Sequence, residues 1–130
     1  MPYTYRVSPE EQLVYLSGER EVELPESKQT LLSIADSCSP QPFDFGMVLD
    51  LRDVISTPFP ETVNEIADFL VERFPDCLGV AIVVSGPNHY GLAARASVAI
   101  EGQGLPASAF EDAVAAAGWL KSLISPIEHA

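Results

Sequence analysis

Two near-continuous apolar runs, "FGMVLDL" at residues 45–51 and "GVAIVVS" at residues 79–85, constrain this chain more than anything else in it. A strand with one wet face alternates apolar and polar residues, whereas these stay apolar throughout, as strands covered on both faces of a parallel sheet do. Parallel neighbours need a crossover between them. The intervening residues supply one: Pro60 suits a first helical position, Val63, Ile66, Ala67, Leu70 and Phe74 recur on one face, and Pro75 stops the helix. Glu61, Glu65, Asp68 and Glu72 line another face of that helix and read as its solvated side.

The flanking sequence extends this β-α-β unit in both directions. Tyr3, Tyr5 and Val7 alternate with polar residues as an edge strand would, and residues 12–19 predict its hairpin partner. A short strand is expected at residues 22–24, stopped by Pro25, before a helix carrying Leu31, Ile34, Ala35 and Cys38. After Ser85, Asn88 is expected to cap a helix with Leu92, Ala96, Ala99 and Ile100 on it, ended by Gly102 and Gly104; a short strand at residues 105–107 follows. Ser108 with Glu111 reads as a capping box for the last helix, whose Phe110, Ala113, Ala117, Leu120 and Ile124 face inward. Trp119 lies beside that stripe, and truncating it to alanine is expected to cost roughly 3 kcal/mol. The fold class is therefore α/β: a mixed sheet of roughly four to six strands, with an N-terminal hairpin, parallel central strands and about four helices. A length of 130 residues fits one domain, expected over residues 1–125, with residues 126–130 as a tail.

Charge narrows the classes of partner. Nineteen acidic against seven basic residues leave a formal charge of -12, and the bases are scattered, so nucleic acid and anionic membrane surfaces are not expected. No apolar run approaches the roughly 20 residues a spanning helix needs, and a cytoplasmic protein is expected. Cys38 and Cys77 form no C-x-x-C pair and read as two separate buried thiols, which indicates neither zinc nor redox chemistry. His89 and His129 are the only imidazoles, and Arg52 between Asp50 and Asp53 suggests an ion pair there; no metal and no cofactor are expected.

Ligands of open α/β sheets tend to lie beyond the carboxyl ends of parallel strands. Here those ends carry Asp50, Asp53, Ser56, Thr57 and Phe59 on one side and Ser85, Asn88, His89 and Tyr90 on the other. They include a hydroxyl, an imidazole and carboxylates, the residue types of a nucleophile, its base and an orienting acid. Yet "VVSGP" lacks the second glycine of a nucleophile elbow, and "GPNHYGLA" lacks the Lys-Ser/Thr of a phosphate loop. Binding therefore ranks above catalysis.

"LVYLSGE", "GMVLDLRDV", "VAIVVSGPNHYGLA" and "FEDAVAAAGWL" carry a likeness that covers nearly the whole chain. In them it resembles the STAS domains, the fold of anti-sigma-factor antagonists, and in particular bacterial STAS-like proteins related to lipid-binding CRAL-TRIO domains. It implies a non-enzymatic binding or regulatory module whose partner is a protein or a small apolar ligand. Signalling members of that family are phosphorylated on a serine in the turn after the central strand. In "DVISTPFPET" an ungapped match sets Pro58, Phe59 and Pro60 over the family's aspartate and serines, leaving Ser56 or Thr57 as the nearest hydroxyls. The rival expectation is a small hydrolase-like enzyme using His89 with Ser85 and Asp50 or Asp53. A ligand is expected between the loop after Leu51 and the turn at residues 85–90, with its body on Tyr90 or Phe59 and its polar end at the helix start near His89. A homodimer is expected too, because a STAS-like fold places most helices on one side of a sheet whose central strands are apolar on both faces.

Overall fold

The computed structural model describes residues 3–38 and 44–124; the side chain of Cys38, His129 and the expected tail at residues 126–130 lie outside the described set. Five strands, β1 (Tyr3–Ser8), β2 (Leu13–Arg20), β3 (Gly46–Val54), β4 (Gly79–Val83) and β5 (Ala107–Phe110), form one sheet in the order β1-β2-β3-β4-β5. β1 and β2 are antiparallel, and every later pairing is parallel. Among the described residues four helices accompany the sheet: α1 (Leu24–Cys38), α2 (Pro60–Arg73), α3 (Pro87–Glu101) and α4 (Ala113–Ile124). The expected α/β fold with an N-terminal hairpin and adjacent parallel β3 and β4 is what forms.

A sheet that grows in one direction through right-handed crossovers puts all its crossover helices on the same face. Leu31 and Ile34 of α1, Ala67 and Leu70 of α2, and Ala93, Ala96 and Ile100 of α3 accordingly share one buried cluster with Val14, Leu16, Met47, Val80 and Ile82. The opposite face buries Leu13, Val48, Ala81 and Val83 under Ala116 and Leu120 of α4. A methyl group built on Gly79 would approach Leu120 Cδ2 to 2.9 Å and Leu123 Cδ1 to 3.2 Å, so the strand must be bare there for α4 to lie close. The expected homodimer rested on this face being left open. α4 instead covers it over β3 and β4, and beyond α4 it presents the exposed Thr4, Arg6, Ser17 and Arg52, so that ground for pairing is gone.

Four local expectations shift. Residues 22–24 form no separate strand: α1 starts at Leu24, and Pro25 lies in its first turn, where a missing N–H is harmless. Asn88 is not the cap of α3. Pro87 occupies the first helical position, so the cap falls on Gly86 at φ 88°, a left-handed conformation open to glycine, without a side-chain cap bond. Ser108 does not open α4, because it pairs with Ala81 inside β5, which runs later than the expected 105–107. Asp112 takes over the capping role, its Oδ1 accepting the Val114 N–H at 2.8 Å.

Candidate functional site

β4 ends at Val83, opposite Asp50, while β3 runs on to Val54 beside β2, and α2 and α3 follow these two ends and run back over the sheet. The side chains between them do not fill the space. A cavity of about 100 Å³ remains, walled by Leu49, Leu51 and Val54 of β3, Ile82 and Val84 at the end of β4, Ile66 and Leu70 of α2, and Ala93 and Ala96 of α3. Alanines on α3 leave room that larger residues would have closed. Of the sixteen residues around the cavity, His89 alone has a polar side chain.

His89 sits in the first turn of α3, half-buried, with Nε2 at 2.8 Å from the carbonyl oxygen of Ser56. A carbonyl only accepts, so Nε2 carries the proton and donates it. The Ser56 peptide is held from the other side as well: the N–H groups of Ile55 and Ser56 both donate to the Arg20 carbonyl, at 2.9 and 3.0 Å. The imidazole therefore ties the β3–α2 loop to α3 at the mouth of the cavity, beside Pro58.

A second apolar cavity of about 60 Å³ lies under α1. It shares Val22, Leu49, Leu51, Ile66 and Leu70 with the first, so those five residues form a common wall. Its far wall carries Tyr3, Ser27 and Thr30, whose hydroxyls are already engaged: Ser27 Oγ donates to the Glu23 carbonyl at 2.7 Å, and Thr30 Oγ1 donates to the Glu26 carbonyl at 2.8 Å. Tyr3 Oη lies 2.7 Å from Ser27 Oγ. None of these hydroxyls stood out in the sequence, because each reads there as an ordinary strand or helix residue.

The residues singled out by sequence scatter around the cavity rather than into it. Asp50 has the same parity along β3 as Val48 and lies on the α4 face, where Arg52 donates to both its oxygens, Nε to Oδ1 at 2.9 Å and Nη2 to Oδ2 at 2.7 Å. That bidentate pair holds the Asp50 carboxyl below its ordinary range. Asp53, Thr57, Ser85 and Asn88 are exposed, and Ser56 enters through its backbone alone. Phe59 is 76% exposed, and Tyr90 turns to the other side of α3, where it borders a shallow open cleft with Pro87, Phe110 and Glu111. No hydrogen bond joins His89 to Ser85, Tyr90, Asp50 or Asp53 among the described residues, so the imidazole has neither a nucleophile nor an orienting carboxylate.

Other reactive groups are equally quiet. Cys77 is buried, its thiol donates to the Gly79 carbonyl at 3.3 Å, and burial pushes it up to about 11, far from the thiolate that nucleophilic chemistry needs. Among the described residues, no group of three or more His, Cys, Asp or Glu side chains is placed to hold a metal ion, and no helix is long and apolar enough to cross a membrane. No family model, curated protein or solved structure matches the chain.

Proposed function

We propose that this protein is a cytoplasmic, non-enzymatic binding module of STAS-like type that takes a small apolar ligand into the cavity between the ends of β3 and β4 and the helices α2 and α3. The observation that carries the reading is the cavity itself: about 100 Å³ with a single polar side chain in its wall. A guest that covers apolar wall of this kind gains about 25 cal/mol for each Å² of apolar surface removed from water. Of the residues expected around a ligand, His89 lines this cavity together with Pro58, whereas Phe59 and Tyr90 do not. Three crossover helices on one face and one helix on the other agree with the STAS-like reading. Thr57, exposed on the loop that His89 anchors, is the better placed of the two hydroxyls for regulatory phosphorylation of such a module.

The test is amide chemical-shift mapping with benzene or xenon, which enter dry apolar cavities. Shifts should centre on Ile66, Leu70, Ala93 and Ala96. Ala93→Leu, which fills the space from α3, should abolish them while leaving the protein at least as stable. Shifts gathered on the cleft beside Tyr90, or unchanged binding to Ala93→Leu, would defeat the reading.

A further inference from the structure

We infer that the two apolar cavities are chambers of one site, and that its ligand is an unbranched aliphatic chain reaching from Ala93 beneath α2 to the hydroxyl cluster of Tyr3, Ser27 and Thr30, where it ends in an uncharged or cationic hydrogen-bond donor. This rests on the reading of the first cavity as a ligand site and adds the shape and polarity of what fills it.

The shape follows from the partition. The residues common to both chambers include Leu49, Leu51, Ile66 and Leu70, aliphatic side chains whose rotamers can change. Leu49 and Leu51 are only half-buried, which leaves them room to do so. A compact guest fits one chamber, whereas a chain can displace the partition and occupy both.

The polarity follows from the hydrogen atoms. Ser27 has given its proton to the Glu23 carbonyl and Thr30 its own to the Glu26 carbonyl. Tyr3 must then donate to Ser27 across their 2.7 Å contact, since Ser27 has no second proton to offer. Ser27 Oγ accepts that proton, whereas Tyr3 Oη and Thr30 Oγ1 have given theirs away and keep lone pairs only. Glu26 Oε2, one turn before Thr30 on α1, is buried with no hydrogen-bond partner among the described residues. At this end of the site the Tyr3 and Thr30 oxygens are thus acceptors that lack a donor, and a buried acceptor left unpaired is costly. Burial raises the Tyr3 hydroxyl above its ordinary value, and the Glu26 and Glu23 carboxylates push it the same way. A carboxylate or phosphate headgroup would meet that same repulsion.

Four probes separate the outcomes: hexanol, decanol, decylamine and decanoate, each followed by amide shifts and by affinity at neutral pH. Decanol should bind about tenfold or more tighter than hexanol, since each added methylene that leaves water favours binding. It should move the amides of Ser27, Thr30 and Leu31 as well as those of Ala93 and Ala96. Decanoate should bind at least tenfold more weakly than decanol, and the comparison with decylamine tells hydroxyl from ammonium preference. Thr30→Val, which keeps the shape and removes an acceptor, should narrow the gap between decanol and decanoate. If hexanol and decanol bind alike and shifts stop at Leu49 and Leu51, the chambers are separate and the inference is wrong while the single-cavity reading stands. Equal affinity for decanol and decanoate would overturn the donor requirement. If no probe binds, the proposed function falls and takes this inference with it.

Discussion

At the scale of single residues, the bonds that position the site are backbone-directed. Losing the His89 bond to the Ser56 carbonyl should cost about 1 kcal/mol, the usual net worth of such a bond, so His89→Ala is expected to lower stability modestly and to speed hydrogen exchange at Ser56 and Thr57. Unchanged exchange there would mean that Arg20 alone holds the loop. Gly79→Ala is expected to be more damaging, by about 1–3 kcal/mol in chemical denaturation, because its new methyl meets Leu120 and Leu123 of α4. A midpoint like that of the parent protein would mean that α4 can lift without loss. Trp119 is only half-buried, with its ring centroid 5.6 Å from that of Phe110, so Trp119→Ala should cost about 2 kcal/mol rather than the 3 kcal/mol a fully packed ring would lose. Residue roles were the least legible part of the sequence. Asn88 is a strong capping residue by type, but Pro87 before it claims the first helical position and moves the cap to Gly86. Asp50 and Asp53 look like a pair on paper, yet strand parity and Arg52 turn Asp50 to the face away from the cavity.

At the scale of elements, α4 is held to the hairpin by a charged clasp. Lys121 Nζ lies 2.9 Å from Glu11 Oε2, Tyr15 Oη donates to the same oxygen at 2.8 Å, and Ser8 Oγ donates to Glu11 Oε1 at 2.9 Å. Lys121, then Tyr15 and Ser8, bring the Glu11 carboxyl down to about 2. Because the folded value lies below the unfolded one of about 4.3, the stabilisation is complete above that pH and is lost as pH falls toward 2. Solvent screening limits it to about 1 kcal/mol or less. Glu11→Gln should therefore lower the melting temperature slightly at neutral pH and leave it equal to the parent's near pH 2; a difference that persists in acid would assign the effect to packing. The elements themselves were legible wherever burial imposed a period. β3, β4 and the apolar face of α2 could be read because a two-sided strand and an amphipathic helix leave different spacings. β5 and the start of α4 were misplaced because "SAFED" satisfies a capping-box pattern, while what decides it is a partner strand far away in sequence, Val80 to Val83. The cavity left no sequence signal beyond small residues on α3, since empty space depends on how three elements fit together.

At the scale of the whole molecule, no point in the sheet reverses the strand order, so the crevice that doubly wound sheets offer at such a reversal does not exist here. The space for a ligand lies inside one layer, between sheet and helices, and access depends on the β3–α2 loop. Sedimentation across a wide concentration range should return the mass of one chain, given the polar remainder of the α4 face; a dimer would have to use another surface, such as the exposed Ile55 and Phe59. A chain ended after Asp112, without α4, should retain helical circular dichroism but bind a hydrophobic dye, because Val48, Ala81 and Val83 would lose their cover. Native-like behaviour of that truncation would mean that α4 is dispensable. The same strand order has a consequence for how the protein is made. Each strand pairs with the one synthesised just before it, so a nascent chain can assemble the sheet in the order in which it leaves the ribosome, without waiting for a distant partner. The three crossover helices can settle as they emerge, but the opposite face stays naked until α4, the last of these nine elements to be made, has left the ribosome, and in that interval the nascent sheet most needs protection from its neighbours.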